Sequence, residues 1–146
     1  MPVVLPLEVH ETVTETREVG RTASVGYQIG VRWTLPTSEE RMSAVLRSPA
    51  GLQIWLGGVT EIEVGNQFAF SDGTTGEIRV YKRGSHLRLA WQRSDWDEPS
   101  TVQVRVIAAR TGTTLSFHLE KLARPTDRAA MKDHWEQVIG RLADLL

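Results

Sequence analysis

Residues 113–146, TTLSFHLEKLARPTDRAAMKDHWEQVIGRLADLL, change period halfway along. Leu115, Phe117 and Leu119 alternate with Ser116, His118 and Glu120, the pattern of a strand with one buried face. Beyond Pro125, Met131, Trp135, Val138, Leu142 and Leu145 recur at spacings of four, three, four and three. That places them in one apolar stripe on a helix of about five turns, with Thr126 or Asp127 placed to cap its start. Lys132, Asp133, Glu136 and Arg141 fall elsewhere on the cylinder. A half-apolar strand that feeds a long one-sided helix implies that sheet and helix bury each other's faces.

The same alternation recurs upstream. VGYQIGVRWTL, from residue 25, sets Tyr27, Ile29, Val31 and Trp33 opposite Gln28, Gly30, Arg32 and Thr34. Pro36 ends this strand. TSEERMSAVL then reads as a short helix capped by Thr37 or Ser38, with Glu39 and Glu40 in its first turn and Met42, Val45 and Leu46 inward. Pro49 opens a second short helix, PAGLQIWLGG, which Gly57 and Gly58 are placed to stop. A meander of strands follows: TEIEVG, QFAFS, GEIRVYK with Ile78 and Val80 inward, HLRLAWQR, TVQVRVI and the strand quoted above. SDGTTG, KRGS and ARTGT supply the turns between them. Residues 1–24 read as an amino-terminal arm, either an added strand or an extended segment, and residues 25–146 as the folded domain. The fold class is therefore α+β: a curved antiparallel sheet of about six strands, two short helices after the first strand, and a long carboxy-terminal helix lying across the sheet.

A chain of 146 residues is long enough to bury a core without metal or disulfide. Seventeen Lys and Arg against eighteen Asp and Glu give a net charge of −1, so no general attraction to nucleic acid or an anionic membrane is expected. The absence of cysteine removes thiolate chemistry and suits a reducing cytoplasm. MPVVLPLEVHE has neither a basic leader nor a long apolar run, so no signal peptide or membrane span is expected.

Four segments in this order resemble a known family: SPAGLQIWLGG, GEIRVYKRGSHLRLAW, STVQVRVIAARTGTTLSFHLEKL and MKDHWEQVIGRLADLL. Together they are similar to the helix-grip fold of the START-like (SRPBCC) superfamily. Within it they resemble the branch named for the activator of the ninety-kilodalton heat-shock protein ATPase, over about residues 25–146. The resemblance implies a helix gripped by a curved sheet, often with a gap between them. It leaves activity open, because such families hold ligand binders, cyclase-like enzymes and co-chaperone domains. Many relatives carry a Trp in the first helix where this chain has Ser43, and Trp33 is expected to take up the volume left there.

Periodicity aims Phe68, Phe70, Val80, Leu89, Trp91, Val104, Phe117 and Leu119 from the sheet at Met131, Trp135 and Val138 on the helix, with Trp55 closing one end. This set is either a filled core or the lining of an apolar cavity. Trp96, between Asp95 and Asp97, stands either at the mouth of such a pocket, on a partner surface, or folded back over its own strands. The four histidines have neither helical zinc spacing nor cysteines to complete a site, so no metal and no cofactor is expected. His134 alone falls beside the helix stripe. No glycine run matches a phosphate cradle, and no Ser–His–acid set is identifiable.

These features favour a non-enzymatic, cytoplasmic binder of a small apolar or amphipathic molecule, monomeric or homodimeric. The first alternative is a stress-related co-chaperone or ATPase-activator-like module with a protein partner. The second is a cyclase- or hydrolase-type enzyme, for which the inward faces offer almost no acid or base.

Overall fold

The computed structural model describes residues 5–10 and 21–22 as strand backbone, and residues 26–57 and 59–146 in full. Strand β1 (Leu5–His10), β2 (Arg21–Thr22) and β3 (Gly26–Leu35) precede helices α1 (Glu39–Arg47) and α2 (Pro49–Trp55). Strands β4 (Gln67–Ala69), β5 (Thr75–Lys82), β6 (His86–Gln92), β7 (Ser100–Ala109) and β8 (Gly112–Leu122) follow, and α3 (Pro125–Ala143) completes the order. The strands form one antiparallel sheet in the order β1-β3-β8-β7-β6-β5-β4, with β2 pairing the start of β3. Among the described residues, the domain read from residue 25 onward contributes six strands, β3 to β8, and β1 and β2 add to β3 from the amino-terminal segment, the added-strand alternative. The rest of that segment and Gly58 lie outside the described residues.

Cross-strand register lines the inward residues up in rows. Ile78, Leu89, Val102, Leu119 and Ile29 make one row, and Tyr81, Leu87, Val104, Phe117 and Val31 make the next. Helix α3 crosses these rows over β3 and β8 and also meets α2. Its 19 residues bury Met131, Trp135, Val138, Ile139 and Leu142. Leu145 lies just past the helix end and is half-buried. The architecture is that of a helix-grip fold, with the long helix held by a curled sheet. Among the described residues, no helix is long and apolar enough to cross a membrane.

Several local expectations need correction. TEIEVG is no strand: residues 60–65 form bends and a turn, with Gly65 at φ 94° and Val64 well exposed. Of the two apolar residues in that alternation only Ile62 packs against the core, so no strand face is buried there. A bulge between Ile78 and Val80 shifts the phase of β5, so that Ile78 and Tyr81 face the core while Val80 pairs with the exposed Arg88 on the outer face. Ser38, not Thr37, caps α1, its Oγ accepting from the Arg41 N–H at 3.0 Å. Neither Thr126 nor Asp127 caps α3: Arg124 holds the cap position with no side-chain bond, and Pro125 opens the first turn. Trp33 is half-buried opposite Leu115. Ser43 instead borders a separate apolar recess beside Leu46, Ile62, Tyr81, Leu87 and Val106, with free volume of about 20 Å³, room for about one water.

Gly76 in β5 permits a close approach of its neighbours under the sheet. A Cβ there would run into the Phe68 ring and the Ala90 carbonyl oxygen. Gly76→Ala is expected to cost about 1–3 kcal/mol through overpacking, read as a lower urea midpoint at unchanged slope. An unchanged midpoint would show that Phe68 has room to retreat.

Candidate functional site

The strongest feature of the interior is a chain of aromatic rings running from α2 to the β4–β5 end of the sheet. Trp135 stacks on Phe117 with centroids 4.4 Å apart and planes at 22°. Trp55 meets the edge of Phe117 at 6.2 Å, and its Nε1 donates to the Leu46 carbonyl at 3.0 Å. On the other side Trp91 lies 4.9 Å from Trp135. Phe70 and Phe68 continue the chain at 5.3 and 5.7 Å from Trp91.

Eleven of the twelve residues assigned to this interior come together, and each owes its place to strand alternation or helix spacing. Trp55, Leu89, Phe117, Leu119 and Trp135 are fully buried; Phe68, Trp91, Val104, Met131 and Val138 are nearly so. Phe70 is half-buried at the rim, where its ring rests 3.0 Å from the position a Cβ on Gly57 would occupy. Val80 is the exception, because the bulge carries it outward.

His134, the one histidine that the helix spacing sets beside the apolar stripe, is part of the ring system. His134 lies three residues after Met131 and four before Val138, which sets it beside the stripe. Its imidazole sits 5.4 Å from Trp91 and 4.8 Å from Trp135. Three buried ring nitrogens in this triangle, Trp91 Nε1, Trp135 Nε1 and His134 Nε2, have no hydrogen-bond partner among the described residues. Leaving a buried donor unmade costs about 1–3 kcal/mol. The charges of Arg93 and Asp72 act on the imidazole, and nothing in the sequence pattern pointed to them. Asp72 accepts from the Thr74 N–H at 2.9 Å, and the Thr74 bonds hold its carboxyl below the usual carboxylate range. Burial, then the Arg93 charge, pushes His134 below the ordinary histidine range against the opposing pull of Asp72 and Asp133.

Trp96 turns toward the start of α3 and lines a recess there. Its Nε1 donates to Asp127 Oδ1 at 3.2 Å, while Gln92 Nε2 donates to its carbonyl at 2.7 Å. Arg124 completes the tie, donating to both oxygens of the buried Asp127 and to Asp95 Oδ2. Hydrogen bonds donated to Asp127, then to Asp95, raise the pKa of the Arg124 guanidinium. The ring thus latches the β6–β7 loop to the start of α3, and beside it opens a charged recess that includes Asp97, Glu98 and Lys121. Among the described residues, no group of three or more His, Asp or Glu is placed to hold a metal ion. Indole donors and a neutral imidazole can grip a ligand oxygen; the ring cluster contains no nucleophile paired with a base.

The sequence profile of the family described as "Activator of Hsp90 ATPase homolog 1-like protein" matches residues 32–146. No curated protein matches the chain. Among solved structures, a protein of Mesorhizobium loti is similar at 22% identity and a TM-score of 0.67, over 81% of this chain and 95% of its own. CalU16 of Micromonospora echinospora is similar at 16% identity and 0.71, over 96% and 83%. An HSP90 activator from Plasmodium falciparum is similar at 20% identity and 0.55, over 66% and 74%. At these identities the likeness is one of fold.

The depressed His134 has a pH consequence. Its folded pKa lies below the 6.5 of a free histidine, so the unfolded chain takes the proton first as pH falls. The stability contributed by its neutral form should be present above about 6.5 and lost on acidification toward the folded value. His134→Phe is expected to flatten that part of the stability–pH curve measured by urea unfolding. A curve of unchanged slope in the variant would mean that His134 titrates like a solvent-exposed residue.

Proposed function

This chain belongs to the Activator of Hsp90 ATPase homolog 1-like protein family, within the START-like superfamily, and from that premise we propose that it binds a small, flat, largely apolar molecule between sheet and α3. The observation that carries this reading is the triangle of Trp91, His134 and Trp135, whose nitrogens are buried without partners in an otherwise apolar surround. A molecule with one or two oxygen acceptors would satisfy the indole N–H groups while its apolar body stacks on the rings. The rings are in contact, so entry requires Phe70 and His134 at the rim to swing aside. Gly57 beneath Phe70 offers a surface with no side chain to hold that ring in place. Binding rather than catalysis is favoured because the triangle supplies donors and stacking faces but no acid–base pair.

A second reading, contact with a chaperone ATPase, draws on the family description and on the Hsp90 activator among the similar structures. It predicts faster ATP turnover by an Hsp90-type chaperone when the domain is added, and it leaves the ring nitrogens without a role.

The test is a fluorescence titration with anilinonaphthalene sulfonate, a two-ring probe whose sulfonate oxygens accept hydrogen bonds. Saturable one-to-one binding is expected. Trp91→Phe and Trp135→Phe, which keep an aromatic ring but remove a donor, should each weaken it by roughly five- to tenfold, the worth of one hydrogen bond. Unsaturable binding, or equal affinity in both variants, would contradict the proposal.

A further inference from the structure

We infer that the outer face of the sheet is a docking surface for an acidic segment of another protein. The observation is independent of the ring cluster and comes from strand register. Lys82, His86 and Arg105 are neighbours on β5, β6 and β7, and Arg88 stands two residues along β6 from His86. Tyr81, Leu87 and Val104 alternate with them and point into the core, so these four point away from it. Adjacent strands are about 4.8 Å apart, which puts three full cations within about 10 Å of one another on a rigid support.

Among the described residues, none of Lys82, Arg88 and Arg105 is in an ion pair, and all three side chains are exposed. Arg88 Nε donates to Gln103 Oε1 at 2.9 Å, a neutral partner that orients the guanidinium without cancelling its charge. Desolvation, then Arg105, Lys82 and Arg88, holds the His86 imidazole below its usual range, as an uncompensated positive field requires. The whole chain carries a net charge of −1, so this patch is a local concentration and does not follow from overall composition. The acids of the same face have other partners, Glu77 with Arg79 at 3.1 Å and Glu120 with His118 at 3.8 Å, so neither is paired with the three cations.

The chemistry around the cations selects the partner. No aromatic ring stands among them, so the stacking platform that single-stranded nucleic acid uses is missing. Val80 is the one apolar side chain paired into these lines, too little for insertion into a bilayer. Gln103 and Ser116 instead offer neutral donors and acceptors that suit peptide groups between carboxylates.

The experiment is fluorescence anisotropy with a labelled peptide of about ten residues alternating Asp and Ser, at about 50 and about 200 mM salt. A single-stranded oligonucleotide and phosphatidylserine vesicles serve as competing probes. Binding of the peptide that weakens with salt is expected, with at least a tenfold loss in Arg88→Glu/Arg105→Glu. Arg141→Glu, on the exposed side of α3, should leave it unchanged. The milder Arg88→Gln/Arg105→Gln should show an intermediate loss, and circular dichroism verifies folding in every variant. No peptide binding, equal binding by the charge-reversed variant, or an arginine-dependent preference for oligonucleotide or vesicle would each overturn the inference.

Discussion

Burial of the Trp135 ring against Phe117 is the constraint on which the rest of this structure depends. An antiparallel sheet with one apolar face cannot stand alone in water, and α3 is the one helix long enough to cross the sheet's inner rows. At 4.4 Å and 22° the two rings meet nearly face to face, and both are fully excluded from solvent. Trp55 from α2 and Trp91 from β6 extend the contact on either side, so helix pair, sheet and terminal helix share one aromatic spine. The Trp96–Asp127–Arg124 network fixes where α3 begins, which in turn sets the depth at which Trp135 lands.

The spine is chemically uneven. At the α2 end the Trp55 N–H is satisfied by a backbone carbonyl, as buried donors normally are. At the other end three ring nitrogens remain unmade, next to a half-buried Phe70 and the charged pair Asp72 and Arg93. One end is thus built for stability, while the other forgoes part of it. On the proposed function, these nitrogens are the positions at which a ligand oxygen would bind. The basic outer face lies across the sheet from this spine, separated from it by one layer of backbone, so the two surfaces can engage different partners.

Much of this was legible in the residues. Strict alternation in β3, β6, β7 and β8 needs no knowledge of neighbours, and the Met131–Trp135–Val138–Leu142 spacing defines a helix face on its own. The failures share a cause. Val80 was misplaced because a bulge shifts the phase of a strand without leaving a mark in its composition. TEIEVG alternates, yet only Ile62 of its two apolar residues packs inward while Val64 is exposed. Trp33 and Ser43 were joined by a volume argument, whereas the recess that Ser43 borders is lined by Leu46, Ile62, Tyr81, Leu87 and Val106 and not by Trp33. Asp72 and Arg93 reach His134 only through tertiary folding, so no local pattern could have grouped them.

The central claim is that α3 is locked onto the sheet through direct coupling between Trp135 and Phe117. A double-mutant cycle with Phe117→Leu and Trp135→Leu, followed by urea unfolding, measures that coupling apart from the cost of each truncation. A favourable interaction energy of about 0.5–1.5 kcal/mol is predicted for rings in this geometry. Additive losses, with a coupling indistinguishable from zero, would contradict the account and leave the aromatic spine without its keystone.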